Sequence, residues 1–95
     1  MDIQRIINDP NATIIDVREP YEFAAGHVNG SLNIPLGQIP GKVEEFKGMQ
    51  KPLVFCCASG NRSGQAAGFL QAQGVEECYN GGSWAMVDAM KMHTV

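Results

Sequence analysis

Apolar positions follow two rhythms along this chain, and Gly or Pro usually marks the change from one to the other. Thr13-Ile14-Ile15-Asp16-Val17 and Leu53-Val54-Phe55-Cys56 are nearly continuous apolar runs, the pattern of strands buried on both faces. Leu32 to Ile34, closed by Pro35, predicts a shorter strand, and Val75 to Tyr79 a last one. Between these runs the spacing is helical. Ile3, Ile6 and Ile7 form a short stripe that ends at the turn Asn8-Asp9-Pro10-Asn11. Pro20 suits a first helical turn and Gly26 an end, so Pro20 to Ala25 is expected to be a helix. Ile39, Val43 and Phe46 predict two helical turns, with Pro40 near their start and Gly48 at their end. Arg62 to Gln73 carries Ala66, Phe69 and Leu70 on one face and stops at Gly74. Asn80-Gly81-Gly82 reads as a turn, after which Ser83 caps a helix through about Met90, with Met86 and Met90 packing beside Val87. Strands alternating with helices predict an α/β domain around a largely parallel sheet. No repeat or linker divides the 95 residues, so residues 1–95 read as one domain.

Charge narrows the range of partners. Seven Lys and Arg against ten Asp and Glu leave a net charge of −3 with no basic run, which argues against nucleic acid and anionic membranes. Met1-Asp2-Ile3-Gln4-Arg5 lacks a secretion pattern and no apolar stretch is long enough to span a bilayer. The expectation is a soluble, cytoplasmic monomer, or a periplasmic one if a signal peptide has been removed. The three cysteines, at 56, 57 and 78, are an odd number and cannot build a disulfide framework. His27 and His93 do not stand at metal-binding spacing from them, so neither a metal nor a cofactor is expected. Free-thiol chemistry is left.

The place for that chemistry is the end of the strand at Cys56. Cys57 stands where the strand feeds a loop, Ala58-Ser59-Gly60-Asn61, and then a helix beginning near Arg62. Small residues let successive amides turn toward one point, and the helix adds its positive end. Such a cradle holds anions and favours thiolate over thiol. Ala58, Ser59, Gly60, Asn61, Arg62 and Ser63 are therefore candidate substrate-binding residues around a reactive Cys57, with Arg62 placed either to hold an anionic donor or to pair with a carboxylate.

The segments Ile15-Asp16-Val17-Arg18-Glu19, Glu22-Phe23-Ala24-Ala25-Gly26-His27-Val28, Asn29-Gly30-Ser31-Leu32-Asn33-Ile34-Pro35, Cys57 to Ser63 and Gly81-Gly82 resemble, in order and spacing, the signature segments of the rhodanese homology domain. That resemblance implies a three-layer fold with a mostly parallel five-stranded sheet flanked by helices. It also implies a persulfide-forming role for Cys57: sulfur is taken from a small anionic donor such as thiosulfate and passed to cyanide or a thiol, with a protein donor or acceptor as a further partner. Two departures stand out. Ala58, Ser59 and Asn61 are uncharged where some thiosulfate-using relatives carry basic loop residues, and Trp84 follows Gly81-Gly82-Ser83 more closely than usual, so the last helix is expected to dock differently.

Rival functions share the cradle. A Cys-based phosphatase or arsenate reductase of the same fold needs a wider loop than the four residues between Cys57 and Arg62. A sulfur-carrier or protein-interaction module without turnover of small donors is the other alternative. Around the loop, Arg18 and Glu22 are expected to form an ion-paired brace with Asp16 bonded to nearby backbone, and His27 to bond backbone rather than act as a base. Cys56 is expected to face away from Cys57, and both Cys56 and Cys78 to be inert.

Overall fold

In the computed structural model, which describes residues 2–91, the elements run α1 (Ile3–Ile7), β1 (Thr13–Asp16), α2 (Pro20–Ala25), β2 (Leu32–Asn33), a 3₁₀ segment (Leu36–Lys42) leading into α3 (Val43–Lys47), β3 (Leu53–Cys57), α4 (Asn61–Ala72), β4 (Cys78–Ser83) and α5 (Trp84–Met90). Met1 and His93, both named above, lie outside the described residues. The strands pair in parallel in the order β2-β1-β3-β4, which gives the α/β architecture expected with four strands among the described residues instead of five.

The pleat sorts the core into two halves. Ile15 and Val17, with Leu53, Phe55 and Cys57, face Ile39, Phe46, Ala66 and Leu70 on the side of α3 and α4. Ile14, Val54 and Cys56 face Ile7, Val28 and Val87 on the side of α1 and α5. Each fully buried Val, Leu, Ile or Phe among these stabilises the fold by about 1.5–3 kcal/mol. Phe46 and Phe55 also meet as a tilted pair with ring centroids 5.7 Å apart. Cys56 and Cys57 therefore go to opposite faces, as strand alternation requires.

Several local expectations are corrected. The segment with Ile39, Val43 and Phe46 begins as 3₁₀ helix with Pro40 inside it, and only Val43–Lys47 is α-helical. Phe69 and Met86 lie on exposed faces of α4 and α5, while Met90 and Val87 pack inward. The last strand begins at Cys78, because Glu77 takes a left-handed φ of 55° that interrupts an extended run.

That strand then continues through the pair of glycines where a turn was expected. A Cβ at Gly81 would lie 2.8 Å from both Val54 Cγ1 and Val87 Cγ2, so only a bare backbone fits between β3 and α5. A register shift in β3 opposite this point absorbs the extra residue. Gly81→Ala is expected to destabilise the protein by about 1–3 kcal/mol through overpacking. Urea unfolding checks it; an unchanged midpoint would contradict the close approach.

Candidate functional site

In this strand order the chain goes from β1 to the edge strand β2 and then returns to the other side of β1 as β3. The crevice beyond the carboxyl ends of β1 and β3 is thus a topological switch point, where open α/β sheets bind ligands. Asp16 and Cys56 are register partners there, and the Val17 amide donates to the Cys56 carbonyl at 3.0 Å. Cys57 is the next residue.

Its sulfur is held by the start of α4. Gly60, the residue preceding the helix, has φ +97°, and its missing Cβ lets Gly82 approach to within 3.3 Å of where that atom would be. With the loop so folded, the Gly60 amide donates to Cys57 Sγ at 3.0 Å and the Ser63 amide at 3.4 Å. No side chain of residue 60 caps this twelve-residue helix, and the sulfur occupies the place of a capping oxygen. An acceptor there gains from negative charge, since unpaired amides and the helix dipole both point at it.

Burial pushes the Cys57 thiol up, but the Ser63 hydroxyl and the amides of Ser63, Ser59 and Gly60 outweigh that effect, leaving it below the ordinary thiol value. The hydroxyl lies 3.4 Å from the sulfur and also donates to Asn80 Oδ1 at 2.7 Å. It has one proton for two acceptors, so the amides are the constant part of this support. Cys56 is the contrast: burial first, and Asp16 next, push its thiol up to about 12. Burial likewise raises Cys78. Adjacent cysteines are thus driven apart by environment, with only Cys57 prepared to ionise.

Of the other candidate loop residues, Ala58 and Ser59 are small and exposed, whereas Cys57 just before them is buried. Asn61 turns to the surface, where its Oδ1 accepts from Gln65 Nε2 at 3.3 Å. Arg62 is the loop's cation, and Glu22 of α2 takes it as a fork: Nη1 to Oε1 at 2.8 Å and Nη2 to Oε2 at 3.0 Å. Of the two placements open to Arg62, the structure adopts the carboxylate pair.

The expected Arg18–Glu22 brace does not form. Arg18 instead binds the buried Asp16, with Nη2 to Oδ2 at 2.7 Å and Nε to Oδ1 at 3.0 Å, and spends other donors on the Glu22 and Gly26 carbonyls. Asp16 also accepts the Arg18 amide, the backbone bond expected of it. Trp84, at the head of α5, presents its ring face to Arg18, whose Cζ lies 5.0 Å from the ring centroid. His27 stacks on Phe23 and donates from Nδ1 to the Phe23 carbonyl at 2.7 Å, a backbone bond as expected.

One contributor escaped the sequence. Asn80, expected in a turn, donates from Nδ2 to the Gly60 carbonyl at 3.0 Å and accepts from Ser63 and from the Gly82 amide, tying the loop to β4. A Cβ at Gly64 would meet Asn80 Nδ2 at 3.1 Å, so that glycine makes room for the tie. No spacing rule joins residues 60, 64 and 80 in advance. Among the described residues no group of acidic, Cys or His side chains is arranged to hold a metal ion, and no helix is long and apolar enough to cross a membrane.

The Rhodanese-like domain family model matches residues 2–85, nearly the whole described chain. The chain belongs to the rhodanese family. Among its relatives, the uncharacterized protein YqhL of Bacillus subtilis is 45% identical over 73% of this chain and 54% of its own length. The thiosulfate:glutathione sulfurtransferase of Saccharomyces cerevisiae is 36% identical over 77% of this chain and 63% of its own length. The chain thus spans between half and two thirds of these curated relatives. The human single-domain sulfurtransferase TSTD1 superposes with a TM-score of 0.67 at 27% identity, covering 82% of this chain and 80% of its own. In this rhodanese-family fold the amides of Gly60 and Ser63 surround the Cys57 sulfur.

Proposed function

We propose that this protein is a sulfurtransferase in which Cys57 carries sulfur as a persulfide. The observation that carries the reading is the Cys57 sulfur capping α4, bonded by the Gly60 and Ser63 amides at 3.0 and 3.4 Å. With thiosulfate as donor, the Cys57 thiolate attacks the outer sulfur and forms a new S–S bond. The bond between outer and sulfonyl sulfur breaks, and sulfite leaves with that electron pair. Cyanide or a thiolate then attacks the terminal sulfur of the persulfide, and the Cys57 thiolate departs. Both steps begin and end with negative charge at the loop, where fixed amide dipoles stabilise it without reorganising. Transfer from a preformed thiolate needs no general base, in keeping with a His27 engaged by Phe23. Ala58, Ser59, Gly60, Asn61 and Arg62 form the surface that a small donor or a protein partner meets, and Ser63, buried beneath them, supports the sulfur.

A phosphatase reading lacks support on two grounds. Only four residues separate Cys57 from Arg62, and the guanidinium that would clamp a phosphate is committed to Glu22. Mass spectrometry of the intact protein tests the proposal. One sulfur atom is expected on Cys57 after a sulfur donor and none after cyanide. An unmodified Cys57 after several classes of donor would sink it.

A further inference from the structure

The two arginines at the carboxyl end of the sheet both have carboxylate partners. Arg18 is absorbed by Asp16 beneath Trp84. Arg62, in the first turn of the helix whose start holds the Cys57 sulfur, presents both terminal nitrogens to Glu22. Glu22 is held from a second direction as well, because its Oε1 accepts the Glu19 amide at 2.9 Å. Arg62, through its forked contact, and then that amide keep the Glu22 carboxyl at about 2, so it stays charged throughout the range in which thiolates react. The pair is only partly covered, with 33% of the Arg62 side chain and 22% of the Glu22 side chain exposed, so it lies within reach of solutes.

An anion arriving at the loop therefore meets the amides of the cradle with Arg62 already neutralised and a fixed carboxylate beside it. A second negative charge on the donor finds no free guanidinium fork, because the Glu22 carboxylate already occupies the place it would take. We propose that Glu22 is a specificity-determining residue which, by occupying Arg62, selects against dianionic sulfur donors in favour of donors carrying a single negative charge. This inference rests on the sulfurtransferase reading.

Thiosulfate and methanethiosulfonate separate the two. They deliver sulfur by the same step and differ by one charge: the thiolate bonds to the outer sulfur, and the leaving group is dianionic sulfite in one case and monoanionic methanesulfinate in the other. Steady-state turnover of the full chain with cyanide as acceptor is measured for wild type and Glu22→Gln. The ratio of kcat/KM for thiosulfate to that for methanethiosulfonate is expected to rise about three- to fivefold in Glu22→Gln, the scale of one partly exposed charge contact. The rise should lie in KM, and shrink with added salt. A ratio unchanged while Cys57 still accepts sulfur overturns the inference and leaves the sulfurtransferase reading standing, as it would if Glu22 only braced α2 against α4. Absence of persulfide from both donors in both proteins overturns the reading and the inference with it. If Glu22→Gln does not fold, Glu22→Asp, whose charge is withdrawn from the guanidinium by one methylene, is expected to move the ratio in the same direction; no movement there also overturns the inference.

Discussion

Cys57→Ser is expected to lower sulfur transfer by more than about a thousandfold, the scale of removing a covalent nucleophile. A serine hydroxyl fits the same loop but does not ionise at neutral pH, and it forms no persulfide. Cys56→Ala and Cys78→Ala should keep most of the activity, since both thiols are buried and pushed up in pKa, Cys56 to about 12. Circular dichroism establishes that each variant is folded before turnover is compared. Alkylation adds an independent readout. Its rate at Cys57 should rise with pH through a midpoint below that of an ordinary thiol, because the thiolate is the reactive form and the loop donors favour it. Equal losses of turnover in all three folded variants would show that the sulfur is not carried by one thiol.

Asp16→Ala is expected to destabilise the protein by about 3–5 kcal/mol, because it leaves the Arg18 guanidinium buried without its counter-charge. Asp16 is fully buried and Arg18 is 5% exposed, so water cannot readily replace the lost carboxylate. The Glu22 and Gly26 carbonyls and the Trp84 ring still contact the guanidinium, but none of them carries a negative charge. Domains of this size are stable by about 5–15 kcal/mol, so the loss is a large part of the total. Urea unfolding of Asp16→Ala beside wild type measures it, and a loss below about 1 kcal/mol, the range of an exposed pair, would mean the ion pair is not closed to solvent. The consequence reaches the loop, since Asp16 and Cys56 are register partners one residue before Cys57.

The buried pair also explains why polar residues stand in a strand and just beyond it. Asp16 and Arg18 turn the carboxyl end of β1 into a fixed post: the Arg18 side chain reaches the carbonyls of Glu22 and Gly26 on and after α2, and the side-chain Nδ2 of Asn33, in β2, donates to the carbonyls of Asp16 and Arg18 at 3.1 and 2.9 Å. No residue of α2 is fully buried, so these polar contacts and the Glu22–Arg62 fork help to set its position. Helix α2 thereby brings Glu22 to the rim of the cradle.

What the chain determined by itself was everything that depends on neighbours in sequence. Apolar runs gave β1 and β3, Pro20 and Gly26 bounded α2, and the succession of strand, small-residue loop and helix placed Cys57 at an anion cradle. Alternation along one strand also separated Cys57 from Cys56, because that depends only on the pleat. Tertiary structure decided the rest. Arg18 and Glu22 are four residues apart and look paired, yet each takes a partner of better geometry: Asp16 lies within hydrogen-bond reach of Arg18 in the interior, and α4 brings Arg62, 40 residues away, against Glu22. Asn80 joined the loop, and Gly81 continued a strand where a turn was expected, only because β4 packs between β3 and α5 with no space for a side chain at Gly81. Local pattern records what a residue prefers, whereas ion pairing and close approach depend on distances that exist only once the sheet has formed.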